Sequence, residues 1–162
     1  MSKNAVVALC CLLLGACANP GGPDDLRPIW FTVHEGYIGG GIYNGTNQTL
    51  FYVFKDKPSF EALFSICPPP NSHPPIPDSY FQTRLILAVV KIGNSGWEMD
   101  VGRIRYCDFD KTLHVYYAAR LIAKDMSWIA RIPLVFSIPR LDVDTVKFYE
   151  NGEYTAELVV GE

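Results

Sequence analysis

Apolar and polar residues alternate over much of the second half of the chain, and a period of two is the spacing of a strand with one buried face. Leu113, Val115, Tyr117, Ala119 and Leu121 share one parity, and Ile132, Leu134, Phe136 and Ile138 form a second such run. Trp97, Met99 and Val101 alternate with Glu98 and Asp100, but after Gly102 the apolar side passes to Ile104 and Tyr106. A one-residue slip at a glycine predicts a β-bulge, because an unbulged strand would turn half of its apolar side to water. Residues 84–92 are apolar on both parities, which predicts a central strand covered on both faces. Residues 49–55, β-branched and aromatic, predict another strand, and residues 29–33 a first one. Val146 and Phe148 lead into Asn151-Gly152, a two-residue hairpin signal, with Ala156, Leu158 and Val160 on the return strand.

Breaks in the pattern place the turns. Residues 93–96, 108–111 and 124–127 are turns, and Pro133 predicts a strand start or edge. One helix is expected. Asp56 can accept from free N–H groups, Pro58 fits a first turn, and Phe60, Leu63 and Phe64 fall on one face before Pro68 ends it. Residues 68–77 hold six prolines and predict a stiff extended segment, either a covering loop or an exposed recognition arm. Gly39, Gly40 and Gly41 precede no helix, so they read as a bulge or hairpin rather than a phosphate cradle. About eight strands and one short helix give a mainly β chain, an antiparallel sandwich or partly closed barrel.

The N-terminus is an address. Lys3 is followed by an apolar run over residues 5–16, too short to span a bilayer as a permanent helix. The run ends Leu14-Gly15-Ala16-Cys17 and is similar to a bacterial lipobox. That resemblance implies a signal peptide over residues 1–16, cleavage before Cys17, and acylation of its thiol with palmitate-type chains. A helix-breaking stretch follows, so residues 17–27 read as a tether and residues 28–162 as a single domain. Ala18 stands where Asp would favour the inner membrane by similarity to enteric lipoproteins, which points to the outer membrane.

Composition narrows the function classes. The 162 residues are 49% hydrophobic and 13% aromatic, enough to offset ordering entropy. Fourteen Lys and Arg against seventeen Asp and Glu give a net charge of −3 without a basic cluster, a poor match to nucleic acid. With Cys10 and Cys11 in the signal and Cys17 acylated, Cys67 and Cys107 remain. In an oxidising compartment the two can pair, closing a loop of ~40 residues at roughly 4 kcal/mol, or stay as separate buried thiols.

Catalytic signals are weak. There is no GxSxG elbow, and His34, His73 and His114 are not spaced to share a metal on one element. Carboxylates at Asp24, Asp25, Asp108, Asp110, Asp142 and Asp144 lie at turns, where acids cap backbone N–H groups. No enzyme activity, cofactor or metal is expected. Tyr106, Tyr116, Tyr117 and Trp128 read as core before they read as a binding platform.

The run Tyr52-Val53-Phe54-Lys55-Asp56-Lys57-Pro58-Ser59-Phe60-Glu61-Ala62-Leu63-Phe64 is followed by a Pro-rich connection, Asp78 and Phe81, a hydrophobic strand, and a glycine turn. Taken in order, these features of residues 49–150 resemble the C-terminal domain of the PrcB family, accessory lipoproteins of a spirochaete surface protease complex. The family's turn is longer and carries a proline that is absent here, with Trp97 in the aromatic place. What the resemblance implies is a non-enzymatic module that binds or stabilises a secreted or surface protease. The turn also resembles a loop of chagasin-type cysteine-protease inhibitors, a second reading; a glycan or small-molecule binder is a third. The expected partner contacts are Asn94, Ser95, Gly96, Trp97, His73 and Trp128, with Trp97 as an anchor or a core residue.

Overall fold

The structure, a computed structural model, describes residues 26–41, 48–67 and 73–161. The expected signal peptide, Cys17, the tether up to residue 25 and the start of the proline run lie outside these. Strands are numbered β1 (Leu26–Pro28), β2 (Thr32–His34), β3 (Tyr37–Ile38), β4 (Gln48–Phe54), β5 (Ser65–Ile66), β6 (Arg84–Gly93), β7 (Gly96–Cys107), β8 (Thr112–Ala123), β9 (Ala130–Pro139), β10 (Thr145–Glu150) and β11 (Glu153–Val159). Two short helices are α1 (Lys57–Glu61) and α2 (Tyr80–Thr83). The chain is mainly β, with no closed barrel, and forms a sandwich.

The first sheet has the order β1-β7-β8-β10-β11 and the second β2-β9-β6-β4, while β3 and β5 make a two-stranded ribbon. Leu87 and Val89 of β6, Phe136 and Ile138 of β9, Val115 and Tyr117 of β8, and Phe148 of β10 fill the space between the two large sheets. The opposite face of the second sheet is also covered. Ile86, Ala88 and Val90 of β6 pack there against Phe60, Phe64, Ile76 and Phe81. Strand β6 is therefore buried on both sides, which is why both of its parities are apolar. Fully burying each large apolar side chain here contributes about 1.5–3 kcal/mol, so the helical layer is part of the fold and not an ornament.

Local rules hold where the sequence states them. Asp56 caps α1, its carboxylate accepting from the Ser59 N–H at 2.9 Å, with proline in the first turn. The β7–β8 register shifts between Val101 and Arg103, the bulge expected at Gly102. Asn151 and Gly152 close the β10–β11 hairpin with φ of 51° and 91°. Pro133, expected at a strand start or edge, instead stands fourth in β9, an inner strand, opposite Val90 of β6; on its other side β2 pairs only with Val135–Ser137, so no β2 residue lies opposite it.

Other features differ from expectation. The first strand is split: β1 joins the first sheet, then the chain crosses at residues 29–31 so that β2 joins the second. The boundary expected at Arg27 falls inside β1, where the Arg27 guanidinium holds Asp108 at 2.7 Å. Strands β8 and β10 pair in parallel, because β9 between them lies in the opposite sheet. Residues 73–77 are a cover rather than an arm: Ile76 is buried and its N–H donates to the Tyr37 hydroxyl at 2.8 Å.

Cys67 and Cys107 do not form the expected disulfide. Cys67 is exposed just after β5, on the helical side of the second sheet, whereas the buried Cys107 ends β7 in the first sheet. A whole sheet layer of about 10 Å separates those positions, beyond the reach of a disulfide. The Cys107 thiol instead hydrogen-bonds Asp110.

Candidate functional site

Two connections carry the chain between the large sheets at the same end of the sandwich. Residues 94 and 95 link β6 to β7, and residues 124–129 link β8 to β9. The Met126 N–H donates to the Asn94 carbonyl at 2.7 Å, which ties the two loops together. Gly96 lies close to the partner strand: a Cβ there would meet Ala123 Cβ at 3.1 Å and Ile122 Cγ1 at 3.3 Å, so a larger residue needs those side chains to give way slightly. The expected contact residues Asn94, Ser95, Gly96, Trp97 and Trp128 thus come to one end. No recorded contact among the described residues joins His73 to them; its ring packs against Gly36, which has a φ of +80° and leaves room for the imidazole.

Trp97 and Trp128 have opposite surroundings. Trp128 is 60% exposed, beside Ile129 and at the same end as Ile122, itself 61% exposed. Trp97 is half-buried against the inter-sheet core, with Lys91 Nζ 4.2 Å from its ring centroid. It therefore serves as a wall of the core and does not project from the turn as an inhibitor-type anchor would. Trp30, the most exposed tryptophan, stands on the flank where β1 passes to β2.

Beneath the loops lies a polar cluster with no local sequence signal. Lys91 occupies the β6 parity that faces the first sheet, and its Nζ lies 2.8 Å from Glu150 Oε1. Glu150 Oε2 accepts from the Tyr117 hydroxyl at 2.7 Å. Burial, reinforced by the Glu150 carboxylate, drives the Tyr117 hydroxyl far above its ordinary range, so it remains a donor. Beside this cluster opens a cleft of about 340 Å³ between Thr49, Lys91, Asn94 and Trp97. Lys91 already carries its counter-ion, so the cleft offers no unpaired charge from that side chain.

The outer face of the first sheet carries a ladder of rings. Arg103 lies over Tyr116 at 4.3 Å, Tyr116 stacks on Tyr149 at 4.5 Å, and Tyr154 meets Tyr149 edge-on. The faces of Tyr116 and Tyr149 turn towards each other, so they clasp β8 to β10 instead of offering a flat platform to a sugar. Of the four aromatics considered in the sequence, Tyr106 and Tyr117 are core, Tyr116 belongs to this ladder, and Trp128 is on the loop.

One arrangement superficially suggests nucleophilic chemistry. His34 Nε2 and Ser137 Oγ lie 2.9 Å apart. Ser137 is wholly buried, the Arg84 guanidinium donates to the same Oγ at 3.3 Å, and among the described residues no carboxylate is recorded against the His34 ring to orient it as a base. Burial, and then the Arg84 charge, lower the His34 pKa. The pair is a satisfied polar contact between β2 and β9. Among the described residues no cluster of three or more metal-ligating side chains occurs.

Comparison of the chain with protein-family models, curated proteins and solved structures finds no match.

Proposed function

We propose that the chain is a bacterial envelope lipoprotein, acylated at Cys17, whose sandwich binds another protein through the loop end. The observation that carries the reading is the exposure of Ile122 at the end of β8 and of Trp128 and Ile129 in the following connection, which the Met126–Asn94 hydrogen bond ties to the neighbouring loop. An exposed tryptophan on a fixed loop loses little side-chain freedom on docking and buries a large area, the properties of an interface anchor. The resemblance to PrcB domains makes a surface protease the first partner to test, with the chain as its accessory or stabilising subunit.

A photo-crosslinking amino acid at position 127, exposed beside Trp128 in the full chain expressed in its own host, tests this. One discrete protein adduct is expected at 127 and none of that mass from a control at position 154. The same adducts from both positions, or none at 127, overturn the reading. Labelling with a palmitate analogue should be lost in Cys17→Ser.

A further inference from the structure

An exposed tryptophan and isoleucines flanked by cations suit two occupants. Lys124 and Arg131 are exposed beside the Trp128 loop against a single exposed acid, Asp125, and none of the three forms a salt bridge among the described residues, which leaves the loop net positive. Such a loop fits an acid-rimmed protein surface, and it equally fits the headgroup region of an anionic bilayer. The position at which the chain enters the fold decides between them.

Leu26 pairs with Cys107, at the end of β7 remote from Gly96. The twelve residues of β7 separate these ends by about 35 Å. The N-terminus therefore enters beside the β7–β8 turn, where Phe109 is 72% exposed, and the Trp128 loop occupies the opposite end. From Cys17 to Leu26 there are nine residue steps, which at full extension span about 30 Å. An acylated Cys17 is held at the bilayer surface. With the loop end pressed end-on against that surface, Leu26 would stand about 35 Å away, a distance that leaves even a fully extended tether no slack.

We propose that the sandwich stands with its β7–β8 turn towards the bilayer and its Trp128 loop away from it. The patch then serves a protein partner, apolar at the centre and acidic at the rim, whose contact surface stands about one domain length from the membrane. This rests on the proposed acylation of Cys17.

The test uses the full acylated chain in vesicles of phosphatidylethanolamine and phosphatidylglycerol that contain a headgroup acceptor dye. A fluorescent amino acid is placed at position 109 or at position 128, both exposed and so tolerant of replacement. Energy transfer from position 109 is expected to exceed that from 128 by about twofold or more, given the ~35 Å between the ends. Equal transfer, from a sandwich lying flat, overturns the proposal, as does stronger transfer from 128. The intact mass of the same preparation separates the two readings. A chain without acyl mass sinks the lipoprotein reading and the orientation with it; an acylated chain with the wrong transfer order sinks the orientation alone.

Discussion

Lys91 and Glu150 join the two sheets of the sandwich by an ion pair of 2.8 Å that is nearly closed to water. They come from β6 and β10, and the Tyr117 hydroxyl occupies the second carboxylate oxygen. Removing one partner leaves the other charge uncompensated in a poor solvent, which costs more than the intact pair contributes. Lys91→Met should lower stability by about 2–4 kcal/mol, and Lys91→Met with Glu150→Gln should recover much of that loss. Thermal or urea unfolding of the two variants and the parent measures the difference. With Glu150→Gln alone as the fourth corner of the cycle, a double variant destabilised by the sum of the two single losses would show that the pair is not coupled.

Trp97 and Trp128 should separate stability from binding. Trp97→Ala removes a wall of the core and the ring beneath the Lys91 ammonium, so it should lower stability by about 2–4 kcal/mol. Trp128→Ala should leave the melting temperature within a degree or two, and should abolish capture of the partner identified by crosslinking. A melting temperature that falls with Trp128→Ala would place that residue in the fold instead.

Gly102 supplies the extra residue of a bulge, and its deletion should be far worse than its replacement. A Cβ at 102 meets only the Tyr116 carbonyl oxygen at 3.5 Å, an ordinary contact, so Gly102→Ala should cost under about 1 kcal/mol. Deleting the residue would force Trp97, Met99 and Val101, or else Ile104 and Tyr106, onto the wrong face. Circular dichroism and a lost unfolding transition report the result.

Stability should fall at both ends of the pH range. Tyr117 has a folded-state pKa raised by burial and by Glu150, so between its unfolded value near 10 and the folded one only the unfolded chain loses the proton. Stability is therefore intact below pH ~10 and declines above it, and tyrosinate absorbance should rise together with unfolding. His34 has a lowered pKa, from burial first and Arg84 second, so below pH ~6.5 the unfolded chain binds a proton that the folded chain resists. Stability falls as the pH drops through that window, and His34→Gln should reduce the slope.

The sequence announced features that depend on neighbours along the chain. The Gly102 phase slip, the Asp56 cap and the Asn151-Gly152 turn are each contained within a few residues, and each stands as expected. The doubly buried β6 was legible because both parities of one segment are apolar. What escaped depends on partners distant in sequence. The parallel pairing of β8 with β10 depends on β9 choosing the other sheet, and no residue of β8 or β10 encodes that choice locally. Lys91 gave no signal of its own inside the apolar run of residues 84–92, because its counter-ion lies 59 residues further on at Glu150. Trp97 and Trp128 both follow turn residues, and only the packing of opposite strands makes one a wall and the other a surface. The paired-thiol expectation failed for a similar reason: spacing along the chain says nothing about a sheet lying between two cysteines.

The parallel contact of β8 with β10 has a consequence for how the molecule is delivered. Hairpin β7–β8 can zip as soon as it emerges, but the open flank of β8 waits for Thr145 and the residues after it. A polypeptide threaded across a membrane N-terminus first would present that unpaired edge to its neighbours throughout the interval. On the proposed reading as an exported lipoprotein, the chain would call for an escort in the receiving compartment, and the window of risk would close only when Thr145 and the residues after it, the last ninth of the molecule, arrive.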